Sequence, residues 1–321
     1  MVAISIVHAM AAISRGHLFG RWLATAVATC VAACAPACAA TRVEADTPTA
    51  APRIVSLSPH ITELLFAAGA GARVVGVDDS SDYPPAALHI PRLGAAAAVD
   101  IEGLLSLKPT LVIVWESGTP PRLRAELERL KLRLVVTEQR NLDDIGNALL
   151  EFGRLAGSLP AAADAARQYR ADLAELRARY AGRPRLKVFY QVWDRPLYTL
   201  SGRHVVSEVM SLCGGDNIFA ELSTLAPAVD REAVLARNPD VILIGASGPD
   251  GARQAADWNR FSSLQAVRNH RVFTVDPSLI GRMAPRILLG AQEVCSSLER
   301  ARAATPTVSN KGHSSDDILR R

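Results

Sequence analysis

Beyond its first forty residues the 321-residue chain has no apolar run long enough to cross a bilayer, so it does not read as a helical membrane protein. It also lacks any block of Lys and Arg interleaved with aromatics, and the formal net charge is only +4. Nucleic acid is therefore a poor partner. Catalytic signatures are missing as well. There is no G-x-S-x-G, no H-E-x-x-H, no Gly-rich phosphate loop ending in Lys-Ser/Thr, and no G-x-G-x-x-G opening a helix. An enzyme reading rests on nothing positive. His60, His204 and His270 are far apart and share no ligand spacing. Cysteine is scarce: Cys30, Cys34 and Cys38 fall in the first forty residues, which leaves Cys213 and Cys295 in the body of the chain. In an oxidising compartment two such cysteines pair if geometry allows, and alone they do not make a metal site.

What is present is ordinary globular material, 49% apolar and 21% charged, at a length for which two domains are the natural expectation. The beginning differs. Arg15, His17 and Arg21 precede a run from Trp22 to Ala33 that is almost wholly apolar or small, which reads as an export signal over residues 1–39. Two processing readings compete. Val31-Ala32-Ala33-Cys34 resembles a lipoprotein box, in which Cys34 is lipidated, whereas Ala37-Cys38-Ala39 offers a site for ordinary release. The lipoprotein reading is preferred, and either one places the mature chain in the periplasm, with lipid anchoring if Cys34 is modified. Residues 40–52, rich in Thr, Ala and Pro, read as a flexible tether, and residues 304–321 as a disordered polar tail.

The most strongly patterned stretch runs from Ser158 to Pro184. Tyr169, Leu173, Leu176 and Tyr180 recur at helical spacing, with Arg167, Arg170, Asp172, Glu175, Arg177 and Arg179 mostly on the other face. Pro160 suits the first turn, and Gly182 and Pro184 close the segment. A helix of this length spans about 30–35 Å, enough to join two lobes or to lie along the surface of one.

On either side, strands and helices alternate. Strands are expected at 53–57, 74–77, 111–114 and 132–136, and helices from Ser58 and over 100–107, 121–131 and 141–156. After the long helix come strands at 186–191, 241–244 and 271–275 and helices at 205–212, 231–237 and 285–303. This alternation predicts parallel sheets covered on both faces. The fold class is α/β: two Rossmann-like lobes, residues 53–157 and 184–303, joined by the helix 158–183. The halves share a phrase, with Leu104 to Pro109 before one strand echoing Val234 to Pro239 before another. Gly214-Gly215-Asp216-Asn217 reads as a helix cap and turn.

In open α/β sheets ligands bind beyond the carboxyl ends of strands. Pro59 and His60, Trp115 and Glu116, Trp193 and Asp194, and Ser278 and Arg282 all follow strands. Facing lobes would gather them in an apolar-walled cleft with a few polar anchors. Each has a plainer alternative: Trp115 and Trp193 as lobe-packing residues, His60 as a solvated helix-start residue, Arg282 as a local salt bridge.

Four stretches carry a family resemblance: Arg53 to Gly69 (RIVSLSPHITELLFAAG), Ser81 to Pro85 (SDYPP), Lys108 to Trp115 (KPTLVIVW) and Leu212 to Phe219 (LCGGDNIF). Together they resemble the periplasmic cobalamin-binding proteins, within the class III substrate-binding proteins that also carry haem and ferric siderophores. The resemblance runs from about Arg53 to Leu298. It implies two α/β lobes on a rigid helix, a monomer with little hinge motion, and delivery of a bulky metal chelate to an ABC importer permease. It places Pro59, Trp115 and Arg282 on ligand-lining positions and Cys213 and Cys295 on a disulfide pair. It matches Glu232 to one of two acids that dock onto permease arginines. The second acid is not at its expected place, which Pro121 occupies, with Glu116 or Glu126 nearby. Ser80, Ala96 and Ala226 stand where larger cobalamin-caging rings are expected, so the chelate itself stays open between a corrinoid, haem and a ferric siderophore. An exported α/β enzyme is the remote alternative.

Overall fold

The computed structural model describes residues 51–303; the export signal, Cys34, most of the tether and the C-terminal tail lie outside the described residues. In the N-terminal half, β1 (Ile54–Ser56) leads into α1 (Pro59–Ala67), then β2 (Val74–Val77), α2 (Ile101–Ser106), β3 (Leu111–Trp115), α3 (Pro121–Arg129), β4 (Leu134–Thr137) and α4 (Leu142–Ala156). The long helix is α5 (Leu159–Tyr180). The C-terminal half runs β5 (Leu186–Gln191), β6 (Trp193–Asp194), β7 (Leu197–Tyr198), α6 (Val205–Leu212), β8 (Gly215–Asn217), α7 (Arg231–Arg237), β9 (Val241–Gly245) and α8 (Gly248–Trp258). It closes with α9 (Gln265–Arg268), β10 (Val272–Val275), α10 (Pro277–Ile280) and α11 (Ile287–Ala303).

The strands form two four-stranded parallel sheets, ordered β2-β1-β3-β4 and β10-β9-β5-β8, and β6 and β7 make a small antiparallel hairpin. Strand periodicity explains how they pack, because successive side chains point to opposite faces. Leu111 and Ile113 of β3 join the same core as Val188 and Tyr190 of β5 and Val241 and Leu243 of β9. The alternate residues Val112 and Val114 face a separate core with Leu104, Leu123 and Leu127 of α2 and α3. In the other sheet Phe189, Ile242 and Ile244 pack with Val234 and Trp258 of α7 and α8. Each sheet is thus covered on both faces, as parallel sheets require, and their inner faces belong to one continuous core.

That shared core is built on α4 and α5, which pack as an antiparallel pair. Gly157, at φ 71°, ends α4 in the left-handed conformation that glycine adopts without steric cost, so the next helix starts almost at once. Helix α5 buries Ala162, Ala166, Tyr169, Leu173 and Leu176, close to the stripe read from the sequence, and Tyr180 is half-buried. The Tyr169 hydroxyl donates to the Leu142 carbonyl at 2.8 Å, and Arg177 pairs with Asp143 of α4 and Glu208 of α6. Cys213, at the end of α6, is disulfide-bonded to Cys295 in α11. For a sequence separation of 82 the loop-closure contribution is on the order of 4–5 kcal/mol.

Three local expectations change. Gly214, at φ 77°, does close α6, but Gly215 to Asn217 continues as the edge strand β8 paired with β5 rather than as a turn. Only glycine tolerates that abrupt helix-to-strand step. The stretch 248–258, which Gly248, Pro249 and Gly251 disguise, is helix α8, anchored by fully buried Trp258. Helix α11 begins at Ile287, two residues later than expected.

One polar cluster joins the halves. Glu63 of α1 is buried and receives Arg286 in a two-pronged interaction, Nη2 at 2.7 Å and Nε at 2.9 Å, while Arg282 Nη1 donates to it at 2.9 Å. Arg282 also pairs with Asp82, and the Arg286 guanidinium lies 3.7 Å above the Tyr83 ring. Two arginines ahead of α11 are thereby tied to α1 and the loop after β2. Removing one partner of a buried ion pair strands the others without compensation. Glu63→Gln is accordingly expected to lower unfolding free energy by about 3 kcal/mol, measured by urea denaturation; a change below about 1 kcal/mol would show that the cluster is not a structural tie.

Candidate functional site

A cavity of about 490 Å³ opens where the two halves face each other. Its N-terminal wall is Trp115 at the end of β3, Glu116 and Ser117 just after it, and Glu138 to Arg140 following β4. Arg203, His204 and Val205 at the start of α6, with Leu225 and Met283, form the other wall. The position follows from the parallel sheet: the carboxyl ends of β3 and β4 feed loops that are free to carry side chains to the edge. A second groove of about 420 Å³ runs along α5 and the approach to α11, shares no residue with the first and touches no strand end.

Glu138 organises the N-terminal wall. Its carboxylate accepts from Trp115 Nε1 at 3.0 Å, from the Ser117 backbone N–H at 2.9 Å and from the Ser117 hydroxyl at 2.7 Å. These bonds fix the half-buried indole against the cavity. Behind it sits His60, 3% exposed, with the two rings edge to face at 5.2 Å. His60 Nδ1 is 2.8 Å from the Ser58 hydroxyl. Burial, with Arg282 nearby, lowers its pKa to about 3, so the ring is neutral. On the other wall His204 caps α6, its Nδ1 accepting the Val206 N–H at 3.2 Å. Burial lowers its pKa to about 4, against a smaller opposing effect of Glu138. Arg140 pairs with Glu116 at 3.2 Å, and Arg203 donates to the Ser223 carbonyl and has no carboxylate partner among the described residues.

The structure brings Trp115, Glu116, His60 and Arg282 into one neighbourhood, the last beside cavity-lining Met283. Arg282 is at the same time the inter-lobe salt bridge that was its plainer alternative. Pro59 occupies the first position of α1, where a missing N–H costs nothing. Of the residues expected to bind ligand, Trp115 and Glu116 line the cavity, whereas Pro59, His60, Arg282, Trp193 and Ser278 do not. Trp193 is 60% exposed on the β6–β7 hairpin, and the Ser278 hydroxyl is bound to Asp276 at the cap of α10. Residue-level reading missed Glu138, Arg140, Arg203 and His204. The strand-end rule that selected Trp115 also selects Glu138, one residue past β4.

Glu232 is exposed on the first turn of α7, whose cap Asp230 accepts the Ala233 N–H. The shared phrase now has a structural basis. Asp100 caps α2 in the same way by accepting from Gly103, and exposed Glu102 stands where Glu232 stands in α7. Both helices are followed by a residue in the left-handed region, Lys108 at φ 46° and Asn238 at φ 42°, then a proline and a buried strand. A helix feeding a parallel strand runs antiparallel to it, so both glutamates sit on the carboxyl-end side of their sheets, where the cavity opens. Among the described residues neither makes an ion pair, whereas Glu126 of α3 faces Arg129 at 3.8 Å.

Two parallel sheets around one helical core, with a cavity at their carboxyl edges, define a two-lobed binding protein, and comparison with known proteins gives the family. The sequence matches the periplasmic binding protein family over residues 54–279, and the chain belongs to that family. It is 36% identical over 254 residues to the vitamin B12-binding protein of Vibrio cholerae serotype O1, covering 79% of this chain and 91% of that protein. The crystal structure of the periplasmic vitamin B12 binding protein BtuF of Vibrio cholerae superposes with a TM-score of 0.74 at 36% identity, over 78% of this chain and 98% of that one. The periplasmic heme-binding protein RhuT from Roseiflexus sp. RS-1 gives 0.69 at 28% identity, over 78% and 99%.

Both imidazoles, half-buried His204 in the cavity wall and buried His60 behind Trp115, carry a pH consequence. Their folded pKa values lie below the unfolded value of 6.5, so protonation favours the unfolded chain. The stabilising contribution is complete above about pH 6.5 and is lost as pH falls toward about 4 for His204 and about 3 for His60. Unfolding free energy should therefore drop by about 1.4 kcal/mol per pH unit for each imidazole between pH 6.5 and 5. Urea titrations across that range are expected to show a slope that His204→Asn, which keeps a capping side chain, reduces by about half. A flat wild-type profile would contradict the neutral-imidazole assignment.

Proposed function

We propose that this chain is the extracytoplasmic binding component of an ABC importer and carries cobalamin or a related corrinoid. The carrying observation is the 36% identity to a vitamin B12-binding protein over most of both chains. The cavity supports it: an indole wall, flanking apolar Met283 and Leu225, and a few polar anchors suit a bulky ligand held at its edges. The reading assigns the chain to the periplasm, with Cys34 as the site of a lipid anchor. It assigns no catalytic step.

Haem is the second reading, favoured by the 28% identity to a haem-binding protein and by donors Arg203 and His204, which suit an anionic periphery. Small Ser80, Ala96 and Ala226 supply little of the stacking area expected of a cobalamin cage. Isothermal titration of the purified protein with cobalamin, haem and a ferric siderophore separates these readings. Saturable binding of cobalamin at one site is the expected result; haem binding without cobalamin binding would transfer the assignment to haem, and no binding by any of them would remove the transport reading.

Docking onto the permease is assigned to Glu232 in one lobe and Glu102 in the other. The two occupy equivalent first-turn positions, and their exposed, unpaired carboxylates would meet permease arginines, steering and orienting the encounter. Glu126 and Glu116 are displaced from this role because each already faces an arginine of its own chain and has no counterpart in the other lobe. Glu102→Arg and Glu232→Arg are each expected to abolish uptake in cells while shifting unfolding free energy by less than about 0.5 kcal/mol and leaving ligand affinity unchanged. Normal uptake with Glu102→Arg would return the first-lobe role to Glu116 or Glu126.

A further inference from the structure

We propose that Arg203 and His204, adjacent at the start of α6, form an oxyanion subsite in the cleft that takes the negatively charged arm of the carried chelate. The inference rests on the metal-chelate reading above and adds to it the group by which the ligand is oriented. Both side chains line the cavity. Arg203 is exposed, donates from Nη1 to the Ser223 carbonyl at 3.2 Å, and has no carboxylate partner among the described residues. Its charge and its remaining N–H donors are thus left for a ligand, in the fork geometry that suits carboxylate and phosphate oxygens. The half-buried His204 ring accepts the Val206 N–H through Nδ1, so the proton of the neutral ring is on Nε2. No protein acceptor takes that proton among the described residues. Arg203 therefore supplies the charge and His204 a directed N–H.

The backbone that carries the two donors is fixed before a ligand arrives. Thr199 and Ser201 donate their N–H groups to the carbonyls of Pro227 and Leu225, each at 3.0 Å, and Gly202 donates to Ala220 at 3.0 Å. A Cβ on Gly202 would meet the Ala220 carbonyl oxygen at 2.8 Å, so the close approach of these two segments needs glycine at that position. Less ordering is then left to be done on binding.

The facing wall has the opposite character. Glu116 and Arg140 offset each other, whereas Glu138 keeps its charge while accepting from Trp115 and Ser117. Gln139, 3% exposed, lines the same cavity and has its Oε1 atom without a partner. Acceptors on this side repel an anion and suit N–H donors. A ligand with amide N–H groups on one edge and an oxyanion on another matches both walls at once. A complete corrinoid carries primary amides and one phosphodiester; haem carries two carboxylates and no amide. The oxyanion is the chemistry they share, and the two walls together favour the phosphodiester.

The test compares ligands with and without the oxyanion: cobalamin against cobinamide, which lacks the phosphodiester arm, and ferric haem against its dimethyl ester. Each is titrated calorimetrically into the purified wild type and into Arg203→Ala and Arg203→Lys, with circular dichroism checking that the variants are folded. Wild type is expected to bind cobalamin about tenfold more tightly than cobinamide. In Arg203→Ala that ratio should fall to about one, with Arg203→Lys, which keeps the charge but not the fork, in between. A preference for haem over its ester that Arg203→Ala removes would keep the subsite and make a carboxylate its occupant. Binding that is indifferent to the oxyanion, or a preference that survives Arg203→Ala, overturns the proposal while leaving the carrier reading intact. Absence of binding by all four ligands overturns both.

Discussion

The constraint on which the rest depends is that both sheets bury their inner faces in the same apolar core, with the α4–α5 pair as its spine. Ile54, Leu111 and Ile113 from one half and Val188, Val241 and Leu243 from the other lose their water in a single contiguous cluster. Each fully buried aliphatic side chain contributes about 1.5–3 kcal/mol relative to exposure. Separating the halves would undo many such terms at once, so large opening is disfavoured. A cleft wall that cannot swing far has to be shaped in advance, which places the burden of ligand fit on side chains at the strand ends.

The polar ties reinforce this restriction. Glu63 holds two arginines from ahead of α11, Arg177 holds carboxylates of α4 and α6, and Cys213–Cys295 joins α6 to α11. Arg282 is the point at which stability and site meet. A residue whose guanidinium is shared between Glu63 and Asp82 cannot move toward a ligand without loosening the tie, and its field also acts on His60 behind Trp115. Local electrostatics and inter-lobe geometry are therefore set by the same side chain.

The internal repeat has a physical logic as well. Asp100 and Asp230 satisfy otherwise orphaned backbone donors at the starts of α2 and α7, and Glu102 and Glu232 place charge beside the same helix ends. Lys108 and Asn238 adopt the left-handed turn that ends each helix, and a proline then commits the chain to a strand. A short phrase used twice thus sets two acidic groups on corresponding rims of a two-lobed molecule.

Local patterns determined much of this protein. The stripe of α5, the alternating strands, the caps and the strand-end tryptophan were legible because each depends on neighbours within a few residues in sequence. The family resemblance came from contiguous stretches for the same reason. Helix α8 and strand β8 were not legible: Gly248, Pro249 and Gly251 weaken the helical signal, and Gly215 to Asn217 become a strand only because β5 offers a free edge. Nor could sequence order reveal that Glu138 anchors Trp115 across 23 positions, or that Arg282 reaches Glu63 across 219. Those pairings are decided by which strand ends and loops the shared core brings together, and burial then makes them count by removing the water that would otherwise compete for each polar group.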